Sequence, residues 1–412
     1  MPAWFNYPEF DWPEKHAIII GAGIAGCQMT WHLSRLGWRV TLIEQERHIS
    51  TKASGNLAGV ISPKMTAQDS DGERFYRAAF HYATQQLSHF GWQPCGMLQL
   101  AHNDREQRRW ASLKQRIFDT TFLQLVSPNE ASNIAGIRCD YPASYFPQAG
   151  FIHPATFCHD LLAHSNHHLI CARKVTKLQR CHLNNMWEVL DETEQCIQKA
   201  PVIILCNGID ISGFSVSQFI PQMPVLGQTS HMPSSTISGI NCVIGHEGYL
   251  IPAYQGINVF GATFDREFDC ITTTEQANQR NLSQLKRYLP ALERQIQTVT
   301  SGHAAARSTT PDRYPYAGAI PDINYYQQHY QPLKHGRPHQ HYPDAKYQNG
   351  LFVLGGFGSR GLTTSAYCAN ALSQLIANQH NTLEQHHNAQ LLNTLHPARF
   401  LIRQLKRGQD IT

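Results

Sequence analysis

The sequence predicts an α/β protein in which a mostly parallel, doubly wound sheet carries an inserted domain of antiparallel strands. The first observation is a strand, a glycine turn, a helix and a second strand in succession, with the strands at Ala17–Ile20 and Arg39–Ile43. The second is a pair of uninterrupted apolar runs at Val202–Cys206 and Leu351–Leu354, which are typical of parallel strands buried on both faces. The third is a hairpin pattern between these two runs, which indicates antiparallel strands.

The composition is that of a folded protein of two or three domains. The chain has 412 residues, of which 42% are hydrophobic and only 16% are charged, against about 25% charged in an average protein. Its net charge of +4 permits an anionic partner such as a nucleic acid without requiring one. Eleven cysteines without a C-x-x-C pair indicate free thiols, and therefore a cytoplasmic protein with no metal site. The sequence shows neither a basic signal-peptide leader nor an apolar run near the ~20 residues that cross a membrane.

Further sequence patterns predict the starts of two helices, a hairpin and a loop. Ser70 predicts the N-cap of one helix and Thr272 that of another, because each is followed by Glu three residues later. Runs at Tyr249–Ile251 and Ile257–Ala262 predict the hairpin. The stretch Asn324–Asn349, rich in Tyr, Gln and His, is expected to be a long surface loop.

These elements predict a short leader at residues 1–14 and two domains. The first domain carries the glycine turns and is discontinuous, and the second supplies the antiparallel strands. We assign the first domain to residues 15–90, 148–218 and 303–412, and the second to residues 91–147 and 219–302.

The first glycine turn has the spacing of a dinucleotide-binding motif, Gly21-Ala22-Gly23-Ile24-Ala25-Gly26. Gly21 allows the tight turn, Gly23 lets the backbone approach a pyrophosphate, and Gly26 lets the helix pack closely on the strand. The helix N-terminus adds amide donors and a partial positive charge. Glu44, at the end of the next strand, is placed to accept hydrogen bonds from ribose hydroxyls. The pattern predicts a Rossmann-like nucleotide site.

A second glycine corner indicates FAD rather than NAD as the cofactor. Leu351–Leu354 runs into another strand–turn–helix corner, whose helix N-terminus can face a flavin and stabilise the anion of its reduced ring. The small-residue stretch Ala53–Gly59 suits close contact with a long cofactor. Outside the first glycine turn and Glu44, the residues expected to bind the cofactor are Ser54, Gly55, Asn56, Asn207, Gly208, Gly356, Gly358, Ser359, Arg360, Gly361 and Leu362.

Motifs at six places along the chain carry a family resemblance. They are Ala53–Asn56, His246–Pro252, Gly261–Phe264, Arg307–Pro315, Gly358–Leu362 and His396–Arg399. Together they resemble the D-amino-acid-oxidase-like flavoproteins and, more closely, the FAD-dependent half of the MnmC family of bifunctional tRNA 5-methylaminomethyl-2-thiouridine biosynthesis proteins. The resemblance extends from residue 16 to the C-terminus and implies an FAD-binding domain with an antiparallel substrate domain.

The resemblance does not cover a whole MnmC protein. That family carries an S-adenosylmethionine-dependent methyltransferase domain before its oxidoreductase half. This chain already reaches its glycine turn at Gly21, so no such domain is expected within it. Two alternatives stay open, a stand-alone oxidoreductase and one half of a bifunctional protein, and a methyltransferase partner in trans stays open with them.

The resemblance also implies a reaction, namely removal of the carboxymethyl arm from 5-carboxymethylaminomethyl-uridine at the tRNA wobble position, which leaves 5-aminomethyl-uridine. The arm is an N-substituted glycine, and a guanidinium binds such a carboxylate with two hydrogen bonds. Arg307 is the first candidate, because the oxidase family keeps an arginine there. Arg360 is the second candidate, and Tyr249 is a possible hydroxyl donor. The alternatives are a salt bridge with Asp312 or another acid for Arg307, backbone capping for Arg360 and core packing for Tyr249.

Two basic clusters are candidates for contact with the tRNA anticodon loop, although either can be only a solvated surface. The first lies on one predicted helix and comprises Arg105, Arg108, Arg109, Lys114 and Arg116. The second lies in the tail and comprises Arg399, Arg403, Lys406 and Arg407. Histidine groups at 167–168, 335–341 and 386–387 are expected in solvated loops, and Cys206 in a buried strand.

Two other functions fit the same sequence. The first is a small-molecule amine or amino-acid oxidase of the glycine or sarcosine type, which shares the fold and the need for Arg307. The second is a non-catalytic tRNA-binding module that keeps FAD for stability alone. Reduction of the flavin by glycine or sarcosine without RNA would favour the first. A flavin spectrum unchanged by modified tRNA would favour the second.

Overall fold

A computed structural model describes residues 2–181, 185–237, 239–296, 299–337, 340–378 and 390–409. Two large sheets form its framework, a six-stranded sheet that is almost entirely parallel and an eight-stranded sheet that is almost entirely antiparallel. This combination confirms the predicted fold class.

The six-stranded sheet contains strands from the beginning, middle and end of the chain. They are β1 (His16–Ile20), β2 (Arg39–Ile43), β8 (His167–Ile170), β12 (Val202–Leu205), β18 (Tyr316–Pro321) and β19 (Tyr347–Gly355). Their order is β18-β19-β12-β1-β2-β8, and every neighbouring pair is parallel except β18 with β19. The carboxyl ends of β1, β12 and β19 therefore lie side by side.

The eight-stranded sheet comprises β4 (Met97–Leu100), β5 (Gln124–Val126), β6 (Ala143–Phe146), β13 (Met223–Pro233), β14 (Val243–Gly245), β15 (Tyr249–Leu250), β16 (Ile257–Gly261) and β17 (Ser301–Thr309). Their order is β17-β13-β16-β15-β14-β4-β6-β5. The antiparallel pairing of β15 with β16 confirms the predicted hairpin. Smaller sheets join β3 (Gly59–Ile61) with β7 (Gly150–Ile152), and β9 (Lys177–Cys181) and β11 (Cys196–Ala200) with β10 (Met186–Leu190).

The described helices are α1 (Ile24–Arg35), α2 (Asp71–Leu87), α3 (Asp104–Leu113), α4 (Pro128–Ala135), α5 (Pro154–Ala163), α6 (Glu275–Tyr288), α7 (Ile323–Tyr330), α8 (Gly361–Ile376) and α9 (Arg399–Lys406). Helices α2 and α5 pack against the pair formed by α1 and α8. None of these helices has both the length and the apolar character that a membrane span requires.

The parallel sheet is buried on both faces. Ala17 and Ile19 of β1 belong to one hydrophobic core, and Ile18 and Ile20 to another on the opposite side. Successive side chains of a strand point to opposite faces, so a strand covered on both sides must be apolar throughout. This explains why its sequence is an uninterrupted apolar run.

Two local predictions need correction. Ser70 does cap α2 by accepting a hydrogen bond from Glu73 N, but α6 is capped by Thr274 and not by Thr272. Thr274 accepts a hydrogen bond from Ala277 N at 3.2 Å. Either threonine is a competent cap, so residue type alone could not distinguish them.

The predicted surface loop at Asn324–Asn349 is also wrong. Its first part is helix α7, and the rings of Tyr326 and Tyr330 are fully buried. Tyr326 Oη donates to Trp4 O at 2.6 Å, and Tyr330 Oη donates to Pro343 O at 2.8 Å. Polar composition suggested exposure, but a Tyr ring is buried readily when its hydroxyl finds an acceptor.

The leader packs onto the rest of the chain, because Phe10 and Trp12 stack on each other and both contact the ring of Phe352. The domain boundaries stay a prediction. Strand β17 pairs with β13 along its whole length, so we propose placing the last boundary after Thr309 rather than at residue 303.

Candidate functional site

A cavity of about 1090 Å³ lies where the two large sheets meet. One wall is made by the turns that follow β1, β12 and β19, and the opposite wall by residues of β15 and β17 and the turn after β16. Ligands of open α/β sheets bind at the carboxyl ends of the strands, where this first wall lies. The cavity is therefore the candidate functional site.

The first glycine corner brings α1 close to the end of β1. Gly21 has φ of +99°, and a Cβ on Gly26 would overlap the carbonyl oxygen of Gly21. Ile24 N donates to Ser54 Oγ at 3.0 Å, which ties the small-residue stretch to the start of the helix. Only glycine at these positions permits this approach, which leaves the helix N-terminus facing the cavity.

The carboxylate of Glu44 holds the same corner from the end of β2. Its Oε2 accepts a hydrogen bond from Ala22 N at 2.7 Å, and its Oε1 accepts one from Glu46 N at 3.0 Å. The side chain is largely buried but lines the cavity. An ionised carboxylate has about four acceptor positions, so two remain for ligand hydroxyls.

The second glycine corner meets the first one directly. Gly356 and Gly358 have φ of +73° and +57°, conformations that favour glycine. A Cβ on Gly361, the first residue of α8, would lie 3.2 Å from Ile24 Cγ2. The N-termini of α1 and α8 therefore converge on one cavity, although more than three hundred residues separate them in the sequence.

The residues present fit FAD. Asn207 lines the cavity, and its buried Oδ1 has no hydrogen-bond partner in the part of the chain that the structure describes. A buried acceptor without a donor is costly, so it is expected to pair with a ligand. At about 1090 Å³ the cavity is slightly larger than the ~300–1000 Å³ range of ligand pockets, as a long cofactor with a substrate requires.

Arg307 lies near the end of β17 and lines the cavity wall. Burial lowers the pKa of its guanidinium, which nevertheless stays charged because an arginine pKa is so high. Among the described residues, no carboxylate pairs with it. Asp312 instead accepts two hydrogen bonds from Arg399, at 2.9 and 3.0 Å, so the predicted alternative for Arg307 is wrong.

The two other candidate catalytic residues also line the cavity. Burial raises the pKa of the Tyr249 hydroxyl, and the positive charge of Arg307 opposes this shift, which places the two groups near each other. Arg360 donates from Nη1 to Ser62 O at 3.3 Å, and its guanidinium lies 5.6 Å from the ring centre of Tyr76. All three residues line one cavity, and their roles stay predictions.

Most of the predicted cofactor-binding residues line the cavity. They are Gly21, Gly23, Ile24, Ala25, Glu44, Ser54, Asn56, Asn207, Gly208, Gly356, Gly358, Ser359, Arg360, Gly361 and Leu362. Ala22, Gly26 and Gly55 do not line it. They shape the turns instead, since a Cβ on Gly55 would lie 2.7 Å from Thr51 O.

Several cavity-lining residues were missed. Lys52, Arg173 and Lys174 line the end of the cavity that holds Glu44. Lys52 pairs there with Glu46 at 3.2 Å, and Arg173 pairs with Asp191 at 2.6 Å. Arg173 and Lys174 follow β8, and the rule that ligands bind at the carboxyl ends of parallel strands would have found them had β8 been predicted. The sequence pointed to Phe264 only as the last residue of the motif Gly261–Phe264.

The basic clusters are smaller than predicted. Helix α3 ends at Leu113, and Arg116, beyond its end, bonds to Glu73 at 2.9 Å. Arg399 is buried against Asp312, which also pairs with Arg403, so Arg399 is unavailable to RNA. The exposed cations that remain are Arg105, Arg108, Lys114, Arg403, Lys406 and Arg407, and of these Arg403 is already paired with Asp312.

In the part of the chain that the structure describes, histidines and cysteines add no second centre. His167 and His168 lie in strand β8 and not in a loop, while His339, His386 and His387 fall outside the described residues. In the described ranges, no group of three His, Cys, Asp or Glu side chains is placed to hold a metal ion. Cys206 is buried as predicted.

The fold and the cavity define a class, the flavin-dependent oxidoreductases. The family model described as FAD dependent oxidoreductase, DAO, matches residues 16–375, and the chain belongs to this family. It is thus an oxidoreductase whose cofactor is FAD.

Curated relatives match nearly the whole chain. It is 31% identical over 418 residues to the tRNA 5-methylaminomethyl-2-thiouridine biosynthesis bifunctional protein MnmC of Pseudomonas savastanoi pv. phaseolicola, covering 98% of this chain and 62% of that protein. It is 32% identical over 402 residues to MnmC of Methylobacillus flagellatus, covering 94% and 60%. The chain thus spans about three fifths of the length of these relatives.

Solved structures share the fold. Glycine oxidase from Bacillus cereus superimposes with a TM-score of 0.71 at 16% identity, covering 90% of this chain and 98% of that one. L-proline dehydrogenase from P. horikoshii gives a TM-score of 0.70 at 18% identity, covering 96% and 99%. At these identities the likeness establishes the architecture alone.

Proposed function

We propose that the chain removes the carboxymethyl arm from 5-carboxymethylaminomethyl(-2-thio)uridine at the tRNA wobble position, giving 5-aminomethyl(-2-thio)uridine. The observation that carries the proposal is the guanidinium of Arg307, which faces the cavity beside Tyr249 without pairing with a described carboxylate. The relatives are named for biosynthesis of a 5-methylaminomethyl-2-thiouridine in tRNA, which supports this substrate class.

The arm has the structure R–NH–CH2–COO⁻. Arg307 binds its carboxylate with two parallel hydrogen bonds, and Tyr249 donates a third. Burial keeps the Tyr249 hydroxyl protonated, so it remains a donor. Fixing the carboxylate orients the methylene group, which is the contribution that binding makes to the reaction rate.

The residues named above hold FAD between the two glycine corners, and bound FAD supplies a two-electron acceptor. Loss of a hydride and a proton from the N–CH2 unit leaves the imine R–N=CH–COO⁻. Water adds to this imine, the C–N bond breaks, and the products are R–NH2 and glyoxylate.

The proposed partner is the anticodon loop of tRNA. A base must leave its stack to reach a cavity of this depth, and a loop permits this at lower cost than a duplex. We propose the cytoplasm as its location, where tRNA is modified. Any methylation of the primary amine requires a methyltransferase domain or a separate protein.

The test is single turnover of the FAD-loaded protein with tRNA that carries the modified uridine, without oxygen and without S-adenosylmethionine. Bleaching of the flavin, with 5-aminomethyl-uridine in the nucleoside digest and one glyoxylate per flavin, is the expected result. Bleaching by glycine or sarcosine but not by tRNA identifies a small-molecule oxidase. Binding of tRNA with no bleaching by any of the three identifies a non-catalytic module.

Arg307→Ala and Arg307→Lys test the assignment of the carboxylate site. Loss of a charge that holds a buried carboxylate costs about 2–5 kcal/mol, so KM is expected to rise at least about thirtyfold for Arg307→Ala. Arg307→Lys retains the charge but not the paired hydrogen-bond geometry, so its KM is expected to lie between those of wild type and Arg307→Ala. Both variants should retain FAD. Unchanged turnover by Arg307→Ala would refute the assignment.

A further inference from the structure

Phe264 is an exposed aromatic residue on the wall of the cavity. Phe264 is 59% exposed, and no other Phe, Tyr or Trp in the described part of the chain is as exposed. It also lines the cavity, together with Ile271, which is 46% exposed. A side chain that is both exposed and cavity-lining must lie at the mouth.

Phe264 is held firmly despite its exposure. On one side, Thr263 N donates to Gln228 O at 3.1 Å, and Gln228 N donates to Thr263 Oγ1 at 3.0 Å. On the other side, Asp265 and Leu226 exchange two backbone hydrogen bonds of 2.8 and 2.9 Å. Both neighbours in the sequence are therefore fixed to β13, and the ring projects from a rigid segment.

The segment is also anchored from helix α6. Arg280 donates from both terminal nitrogens to the two carboxylate oxygens of Asp265, each at 2.7 Å. Such paired bonds fix geometry as well as adding energy. A single exposed apolar residue is normal on a protein surface, so the indication of a partner comes from the rigid support of Phe264 and from its place at the mouth of the cavity.

Positive charge lies close to the same cavity. A small side cavity shares Ser62, Met97, Gln99 and Arg360 with the main one and is also lined by Lys64 and Arg109. Burial and the charges of Arg360, Arg313, Arg109 and Arg105 lower the pKa of Lys64 to about 8, which shows how closely these cations are grouped. Such a cluster favours a polyanion.

We propose that Phe264 is a stacking platform for an unpaired RNA base at the mouth of the cavity, a proposal that rests on the proposed function. The ring lies at the mouth of a cavity that shares Arg360 with this cationic cluster. Aromatic rings and cations together bind single-stranded nucleic acid, because every base has a face that stacks. A protein partner would need a wider apolar surface than one Phe and one Ile provide.

The test measures binding of an RNA hairpin with an anticodon-type loop and no modified base to the FAD-loaded protein. Phe264→Ala is expected to weaken binding about tenfold, since stacking on one ring is worth ~1–3 kcal/mol. Phe264→Leu keeps the apolar bulk without the ring and should match Ala, while Phe264→Trp should match wild type. Ile117→Ala, at a fully exposed apolar position that does not line the cavity, is the matched control and should change nothing.

Salt dependence separates stacking from phosphate contact. The slope of log affinity against log salt should be equal for wild type and Phe264→Ala, because no phosphate contact is removed. The proposal would be overturned if Phe264→Ala or Phe264→Leu bound the hairpin as tightly as wild type. It would also be overturned if Phe264→Ala changed the salt slope or lost FAD. Failure of the wild type to bind the hairpin would overturn it as well.

The hairpin lacks the arm, so its binding does not depend on the proposed reaction. If modified tRNA fails to bleach the flavin while Phe264→Ala still weakens hairpin binding, the reaction is wrong and the platform stands. If bleaching occurs and hairpin binding is insensitive to Phe264, the platform is wrong and the reaction stands.

Discussion

The guanidinium of Arg307 packs against Gly227 on the neighbouring strand, where a Cβ would lie 2.6 Å from Nη1. In the register of β13 and β17, Val225 faces Arg307 and Gly227 faces Ala305. Arg307 and Gly227 are therefore diagonal neighbours on one face of the sheet. The absence of a side chain at Gly227 creates the space in which the guanidinium lies.

Gly227→Ala should displace this guanidinium without unfolding the protein. The atoms that a Cβ would meet are the end of a flexible side chain, and Gly227 does not have positive φ. We expect KM for the arm-bearing RNA to rise at least about tenfold, because bidentate contact depends on position to within about 0.5 Å. The measurement is steady-state kinetics with the flavin content of each preparation.

Gly91→Ala is the control for this substitution, because a Cβ there would meet nothing within 4 Å. It should leave KM unchanged. If Gly227→Ala had wild-type KM, the guanidinium would not need its observed position, and the carboxylate assignment would lose its geometric basis.

Tyr249→Phe should remove one donor to the carboxylate and nothing else. A hydrogen bond to a charged group is worth ~1.5–3 kcal/mol, so kcat/KM is expected to fall about tenfold or more, mainly through KM. Tyr254→Phe, in the same hairpin but outside the cavity lining, is the matched control. Equal kcat/KM for Tyr249→Phe and wild type would assign Tyr249 to core packing.

The nucleotide corner could be predicted from sequence because its chemistry is local. Gly21, Gly23 and Gly26 lie within six residues of one another, and each position requires a missing side chain for a reason that holds in any such turn. The apolar run of β1 likewise depends only on burial of both faces. Patterns of this kind can be predicted because all the residues that define them are neighbours in the sequence.

Gly227 could not be predicted because its role depends on sheet register. Nothing near it in the sequence indicates that an arginine eighty residues later lies over it. The pairing of Asp312 with Arg399 is equally remote, so the sequence predicts a surface cation at Arg399. Buried Tyr326 was missed because its acceptor, Trp4 O, lies at the other end of the chain.

Asp312→Asn should destabilise the fold. Burial alone would raise the pKa of Asp312, but hydrogen bonds and charge from Arg399 lower it below the usual value. The substitution leaves Arg399, whose side chain is 4% exposed, without its charge partner, and breaking such a pair costs about 3–5 kcal/mol. The urea midpoint should fall accordingly.

Asp69→Asn provides the comparison for Asp312→Asn. Asp69 bonds to Arg74 at 2.8 Å, but both side chains are more than half exposed, and such pairs contribute about 0–1 kcal/mol. Equal urea midpoints for the two variants would show that the Asp312–Arg399 pair contributes no more than a surface pair.

Acid should destabilise the protein through buried neutral histidines. Burial, with smaller effects from neighbouring charges, lowers the pKa of His32, His246 and His396 to about 3 and that of His231 to about 4. In the unfolded chain each titrates near 6.5. Unfolding therefore takes up protons below that pH, so the stabilisation is complete above about pH 6.5 and is lost as the pH falls toward the folded values.

Each of these histidines contributes a slope of about 1.4 kcal/mol per pH unit to the free energy of unfolding between those limits. Urea titrations of the FAD-loaded protein should show the free energy of unfolding falling as the pH is lowered from neutral. His32→Gln should reduce the slope of this dependence by about 1.4 kcal/mol per pH unit, whatever its effect on stability at neutral pH. The Nε2 of His32 is buried with no hydrogen-bond partner among the described residues, so a proton there gains no acceptor. An unchanged slope for His32→Gln would mean that His32 is protonated in the folded protein.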